Sequence, residues 1–409
     1  MSEFIAVEDA LAEILANIPD TGPERIHLGN SRGRRLVGSV EAPWNSPRFD
    51  NSAMDGFALR FDDLDEVPTT LEITGVSAAG SPSSEVVTAG KAFRISTGAA
   101  IPSGADTVVP RELCDANSLE VTVNERPRKG RGANIRETGN YLKAGEAALE
   151  DGNRLGGAEI GLLASFGKPI VTVYSRPQVG IISTGDELVE LGETPKSGQI
   201  VNSNAYMLEA LVASHGGIPR VFPTVADRRD QTVATFQRAV AECDMVLSSG
   251  GVSVGDHDHV RSVVDDLTGG MTFWKVRMKP GKPLAFGLTQ NEGHPVPILG
   301  LPGNPGASFV GFHLFVRPAL NVAQGADLAG APLPLVDAQL TRRVRGSRGR
   351  RTYLSGRAKP SGDGITFEPH EHQSSGNPAL FANANALGIV DEGRDHIEKG
   401  APIEIHLLR

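Results

Sequence analysis

Three short stretches set glycine beside hydroxyl, carboxylate or amide side chains, each directly after an apolar run. They are "STGDEL" (Ser183 to Leu188) after "VGII", "SSGGVSVGDHDH" (Ser248 to His259) after "DMVL", and "LPGNPGASF" (Leu301 to Phe309) after "VPILG". A strand ending in glycine lets backbone N–H groups approach an anion, and a following helix adds the positive end of its dipole. Gly250, Gly251 and Gly255 have that character, with Ser253 among them and a helix expected from about Asp258. Ser183, Thr184 and Gly185 in the first stretch, and Pro302, Gly303 and Asn304 in the third, hold the equivalent position. One glycine run alone also fits a plain strand-to-helix turn, whereas three at the ends of neighbouring strands predict a pocket.

Acidic residues fall at the same strand ends: Asp186, Glu187, Asp227, Asp256 and Asp258. Hard oxygen ligands of this kind hold Mg²⁺ against a phosphate, although any one of these aspartates could instead cap a helix. Zinc is disfavoured, because His257 and His259 are spaced i,i+2 and cannot share a helix face as zinc-hydrolase ligands do. In "FWKVRMKPGKPLAFG" a strand would turn Lys275, Arg277 and Lys279 to one face, with Lys282 just past the Pro-Gly turn. Such a face fits an anionic substrate, or an edge strand guarded by charge. The run "TRRVRGSRGRR" (Thr341 to Arg351) fits a solvated hairpin, an anion site or an RNA contact, and it lacks a stacking aromatic. No G-x-S-x-G elbow, no H-E-x-x-H and no cysteine beside a base is present. The residues alone describe a Mg²⁺-assisted enzyme acting on a phosphorylated small molecule.

Elements that could hold these stretches follow from pattern. From about residue 176 to 322, apolar strands alternate with helical stretches such as "NSNAYMLEALVASHG" and "DQTVATFQRAVAEC", which predicts a doubly wound α/β layer. In such sheets ligands bind at the carboxyl ends of the strands. Residues 25–145 show short alternating runs and turns, a β domain, and residues 323–409 return to short β runs, a second small β domain. At the N-terminus Val7, Leu11, Ile14, Leu15 and Ile18 recur at helical spacing.

Composition bounds the rest. With 409 residues, several domains are expected, and 48 Gly with 27 Pro indicate many turns. A net charge of −9 argues against a general nucleic-acid binder. Cys114 and Cys243 lie far apart, so neither a zinc cluster nor a disulfide framework is indicated. Acidic residues Glu3, Glu8 and Asp9 stand where a secretory signal needs basic ones, and no run of about 18 apolar residues occurs. A cytoplasmic protein without a membrane partner is expected.

The assembled motifs resemble the MoeA / gephyrin E-domain family of molybdopterin molybdenumtransferases. Beside the three stretches above, the resemblance rests on "FDNSAMDGFA", "STGAAIPSGADTVVPRE", "GANIRETG", "GQIVNSN" and "FWKVRMKPGKPLAFG", all in the family's order to about residue 322. It implies a homodimer of four-domain chains: a helical domain from residues 1–24 and 146–175, an inserted β domain at 25–145, a molybdopterin-binding α/β domain at 176–322 and a C-terminal β domain at 323–409. The implied reaction takes adenylylated molybdopterin and molybdate to molybdenum cofactor and AMP, with Mg²⁺ assisting. A molybdopterin adenylyltransferase and apo-molybdoenzymes are the implied partners. Asp55 matches an active-site aspartate, supplied by the partner subunit; Glu187, Asp227 and Asp258 match acidic, metal-binding positions of the pocket; Lys275 and Lys279 match its basic positions. Arg350 and Ser375 match substrate-binding positions in the C-terminal part.

One stretch departs from the pattern. After "NIR" the family carries two variable residues and then Gly-Glu-Asp, whereas this chain has Gly139, Asn140 and Tyr141. Tyrosine, with an ordinary pKa of about 10, cannot chelate Mg²⁺ as an aspartate does at neutral pH. The alternative is therefore a non-catalytic or specialised paralog that carries molybdopterin or serves as a scaffold. A smaller departure is "PGNPGAS" where "PGNPVSA" is common, which places glycine at 306 and the hydroxyl at Ser308.

Overall fold

The computed structural model describes residues 4–252, 259–362 and 364–408. Ser253, Gly255 and Asp258, three of the predicted site residues, lie outside the described residues. The chain divides into two compact units, one built from residues 1–37, 151–160 and 169–409, the other from 38–150 and 161–168.

The larger unit contains a six-stranded sheet in the order Ile218–Val221, Gln178–Ser183, Met245–Ser249, His294–Leu301, Pro283–Asn291, Phe273–Lys275. The first four strands are parallel and the last two antiparallel. The parallel strands are apolar because both faces are covered: Val179, Ile181, Ile182, Met245, Val246, Leu247, Ile298 and Leu299 are all fully buried or nearly so. From Gln178–Ser183 the chain crosses by helix Ser203–Ser214 to Ile218–Val221, then by helix Arg229–Glu242 back past its start to Met245–Ser249. The direction of winding thus reverses between Gln178–Ser183 and Met245–Ser249, where doubly wound sheets open a crevice.

The N-terminal helix Val7–Ala16 carries Glu8 and Asp9 in its first turn, complementing the helix dipole, and buries Val7, Ala10, Ile14 and Leu15 in the same core as Val179, Leu208 and Phe312. Truncating fully buried Ile14 to alanine would cost about 2–5 kcal/mol and loosen that face.

In the C-terminal part of this unit, strands Arg351–Ser361, Gly364–Pro369, Leu335–Leu340, Pro402–Leu407 and Ala386–Val390 pair in sequence, and the last pairs again with the first. The sheet is therefore closed around buried Phe367, and closure removes its edges. Met278–Lys279 adds to it in parallel with Arg351–Thr352.

The second unit holds a six-stranded sheet in the order Thr107–Pro110, Gly56–Leu59, Lys91–Ile95, Thr69–Ser77, Glu120–Val123, Cys114–Ala116. Its core comprises Phe57, Leu59, Leu64, Leu71, Val109, Val121 and Val123. The multidomain α/β plus β class expected from the sequence is the class observed.

One expectation fails here. Lys275, Arg277 and Lys279 do not share a face of a single strand. Val276 N donates to the Lys282 carbonyl (3.0 Å), closing a turn, so Phe273–Lys275 belongs to the α/β sheet and Met278–Lys279 to the C-terminal one. Arg277 instead reaches Glu392, Nε to Oε1 3.4 Å.

Candidate active site

The three glycine-bearing turns meet at the carboxyl ends of the parallel strands. Thr184 N donates to the Ser249 carbonyl at 3.3 Å and Gly250 N to the Leu301 carbonyl at 3.2 Å, so each turn is tied to the next. Gly250 and Gly251 have φ of +95° and +67°, where L side chains are rarely accommodated. A Cβ at 250 would lie 2.8 Å from the Thr184 carbonyl oxygen, and one at 251 would overlap Val260. Glycine is required here by both conformation and space.

Together the turns line a crevice of about 400 Å³ that includes Ser183, Thr184, Gly185, Glu187, Asp227, Ser249, Gly250, Gly251, Pro302, Gly303 and Asn304. Every described residue of the predicted cradle, and two of its acids, are thus brought to one place. Ser183 and Thr184 are buried, and Ser183 Oγ, Thr184 Oγ1, Ser248 Oγ and Asn204 Oδ1 find no hydrogen-bond partner among the described residues. Buried polar atoms are normally satisfied, so a cluster of orphans at one end of a sheet marks a site built for something other than stability.

Glu187 is exposed and Asp227 half-buried in this crevice. The Asp227 N–H donates to Asp186 Oδ1 at 3.0 Å, which assigns Asp186 to holding the turn. Among the described residues no group of three His, Cys, Asp or Glu side chains comes together as a ready-made ion site. Two carboxylates with open faces do fit Mg²⁺, which commonly takes one or two protein carboxylates plus phosphate oxygens and water.

A second cavity, of about 680 Å³, adjoins the crevice, sharing Pro283, Pro302 and Asn304 with it. Lys279, Lys282, Arg342, Arg343, Arg345 and Arg350 line it, against Glu371, and Ser375 stands at its wall. Arg343 pairs with Glu398 at 3.1 Å, and Arg350 makes no ion pair among the described residues, its guanidinium donating to Ser347 Oγ at 3.2 Å. The basic run expected first as a solvated hairpin therefore contributes to an anion-attracting cavity, because the closed C-terminal sheet turns Arg342 to Arg350 towards Met278–Pro283. Arg348 and Arg351 do not line it: Arg348 forms a bidentate pair with Asp395, and Arg351 pairs with Glu8 and with Asp391. Lys275 lines neither cavity; its ammonium lies over the Trp274 ring at 4.2 Å.

Asp55 belongs to the smaller unit, at the entry to strand Gly56–Leu59. Its Oδ1 accepts from Thr97 N (2.6 Å) and Thr97 Oγ1 (3.0 Å), and these bonds hold its exposed carboxyl below the ordinary range. In the same unit Asn140 and Tyr141 are exposed, and their backbone N–H groups bond to Glu137 and Ser46 carbonyls.

Sequence reasoning missed Asn202, Asn204 and Ser249. Asn202 Oδ1 caps helix Ser203–Ser214 by accepting from Ala205 N at 3.2 Å, and that cap carries Asn204 into the crevice. The motif "GQIVNSN" contained the signal, since Asn before an apolar-periodic run marks a helix start.

Three family models match consecutive parts of the chain: the MoeA N-terminal region (domain I and II) over residues 5–167, a probable molybdopterin binding domain over 180–322, and the MoeA C-terminal region (domain IV) over 337–408. A molybdopterin molybdenumtransferase of Nostoc sp. is 37% identical over 388 residues, covering 93% of this chain and 87% of that relative. One from Haemophilus influenzae is 34% identical over 412 residues, covering 99% and 100%. The crystal structure of the molybdopterin biosynthesis MoeA protein from Pyrococcus horikoshii superposes with a TM-score of 0.84 at 28% identity, covering 99% of this chain and 100% of that one. Matched by family models, relatives and a solved structure over nearly all of its residues, the chain belongs to the MoeA family.

Proposed function

We propose that the chain is a molybdopterin molybdenumtransferase, which inserts molybdate into adenylylated molybdopterin and releases AMP. The carrying observation is that a glycine-walled crevice holding two carboxylates runs into a cavity lined by lysines and arginines, through the shared residues Pro283, Pro302 and Asn304. The first suits a phosphoanhydride and its ion; the second suits a tetrahedral oxyanion beside it. The relatives' name, molybdopterin molybdenumtransferase, supports the same assignment.

In this scheme the glycine backbone at 185, 250 and 251 lines the phosphates' path, with Ser183 and Thr184 hydroxyls behind it. Glu187 and Asp227, with Asp258, hold Mg²⁺, which supplies a Lewis acid for the phosphoryl oxygens. Lys279 and Arg350 neutralise the oxyanion, while Ser375 offers it a hydroxyl. Lys275 and Asp55 act in turnover as a cation and a carboxylate, the latter held below the ordinary range by its bonds from Thr97. The chain would work as a cytoplasmic homodimer, receiving substrate from a molybdopterin adenylyltransferase and serving apo-molybdoenzymes.

Asn140 and Tyr141 favour a second reading, a carrier or scaffold that binds molybdopterin without turning it over. One reaction separates the two: purified protein with adenylylated molybdopterin, Mg²⁺ and molybdate, followed for AMP release and for activation of an apo-molybdoenzyme. Both signals together support the transferase; tight binding with no AMP release overturns it in favour of the carrier.

A further inference from the structure

Asn204 is 8% exposed, in the first turn of helix Ser203–Ser214. Its carboxamide NH₂ donates to Ser249 Oγ at 2.8 Å and to the Gly303 carbonyl at 2.7 Å. Because the Gly303 carbonyl can only accept, the NH₂ must face it, and the amide orientation is fixed by chemistry. Ser249 closes its strand directly before Gly250 and Gly251, and Gly303 lies in the Pro302–Asn304 turn. A single side chain thus clamps two of the three crevice turns to a helix that belongs to neither.

The clamp is made at a loss. Asn204 Oδ1 is buried with no partner among the described residues, and an unsatisfied buried acceptor destabilises the folded state. A residue retained for stability alone would be apolar at this depth. The same side chain also lines a neighbouring cavity with Met207, Leu211, Phe309 and Phe381, and with the polar Ser203, Ser214, His215 and His313.

We infer that Asn204 is a positioning residue, setting the spacing between the Ser249–Gly251 and Pro302–Asn304 turns that the phosphate-bearing substrate needs. The inference rests on the transferase reading for the identity of that substrate, but the clamp itself does not.

The test compares the full-length chain with Asn204→Ala and with Asn204→Asp, which keeps the shape but loses the donors. Hydrogen exchange of the ligand-free proteins is read alongside AMP and molybdate affinity. In both variants the Gly250–Gly251 and Gly303–Asn304 amides should exchange at least about 10-fold faster while helix Ser203–Ser214 keeps its protection. AMP affinity should fall roughly 10- to 100-fold, with molybdate affinity within about 2-fold of the parent. Unchanged exchange in the two turns, a wild-type-like Asn204→Asp, or an equal loss of both ligands together with the melting temperature would each overturn the assignment. If the parent itself bound no AMP, the transferase reading would fall, and the exchange data would still decide whether the clamp exists.

Discussion

The Phe381 ring fills the space that a side chain at position 306 would occupy: a Cβ built on Gly306 overlaps the ring and comes to 3.0 Å from the Ser375 carbonyl oxygen. Phe381 packs in the main core, its ring centroid 5.2 Å from that of Phe309. Gly306 N also donates to the Ser375 carbonyl at 2.7 Å, tying the helix after Asn304 to the wall of the basic cavity. Glycine at 306 in "PGNPGAS" is therefore matched to the Phe381 ring that fills the space beside it.

Gly306→Val should accordingly destabilise the chain by about 1–3 kcal/mol through overpacking. Combining it with Phe381→Leu should recover part of that loss, giving a coupling of about 0.5–3 kcal/mol between the two sites. Chemical denaturation of the two single variants and the double variant measures it. Strict additivity would show that the ring and position 306 do not compete.

Glu187 and Asp227 make no ion pair among the described residues, so neutralising them should leave the fold alone. Glu187→Gln and Asp227→Asn are expected to melt within about 3 °C of the parent, as surface substitutions do. AMP release should drop roughly 100-fold or more, and the Mg²⁺ concentration for half-maximal rate should rise. Normal turnover at low Mg²⁺ in either variant would remove that carboxylate from the ion site.

Lys279→Ala and Arg350→Ala should weaken molybdate binding about 10-fold each, and more so at low ionic strength, where charges in an open cavity are least screened. AMP binding should change little, since neither residue lines the crevice. Titration of each anion by calorimetry at two salt concentrations checks both halves. A variant that lost AMP and molybdate equally would argue against two separate cavities.

The crevice was legible because its residues sit at the ends of apolar runs, and a doubly wound sheet must bring strand ends together. What the sequence concealed depends on the path of the chain between sheets. Alternation placed Lys275, Arg277 and Lys279 on one face only if one strand carried all three, and the Val276 to Lys282 turn breaks it. For the arginines from 342 to 350 the pattern left a solvated hairpin, an anion site and an RNA contact open, and it is the closed C-terminal sheet that brings Arg342, Arg343, Arg345 and Arg350 to the cavity of Lys279 and Lys282. Asn204 was hidden for a different reason: its partners lie 45 and 99 residues away, beyond any local pattern.

His313 sits in a π-helical turn, Phe312–Val316, with its ring edge-on to Phe309 at 4.5 Å and Nδ1 unpartnered. Burial, reinforced by His215, Arg317 and His406, lowers its pKa to about 3. The folded state therefore holds this imidazole neutral, while the unfolded chain protonates it near the ordinary value of 6.5. Its contribution to stability is complete above about pH 6.5 and is lost as the pH falls towards 3, at up to about 1.4 kcal/mol per unit. His313→Phe keeps the aromatic volume and removes the titration, so its stability should fall less steeply between pH 6.5 and 4.5 than the parent's. Half-buried His215, lowered in the same direction by desolvation, should leave a residual slope. Urea denaturation at a series of pH values reads the difference, and parallel curves would mean that His313 is not the group that couples folding to acid.

Asn140 and Tyr141 are exposed, with no side-chain hydrogen bond among the described residues, so carboxylates can be placed there without disturbing the smaller unit's fold. Asn140→Glu with Tyr141→Asp restores the Glu-Asp pair of the family pattern. If the missing charges limit turnover, the double variant should release AMP about 10-fold faster or more at saturating molybdate, a gain of roughly 1.4 kcal/mol in the barrier. If the parent already turns over at the rate of the double variant, then Glu187, Asp227 and Asp55 suffice and the departure is neutral for chemistry. An inactive parent made active by two exposed substitutions would instead identify a carrier built on the transferase fold, because binding and positioning would be intact and only the charge needed for the chemical step would have been absent.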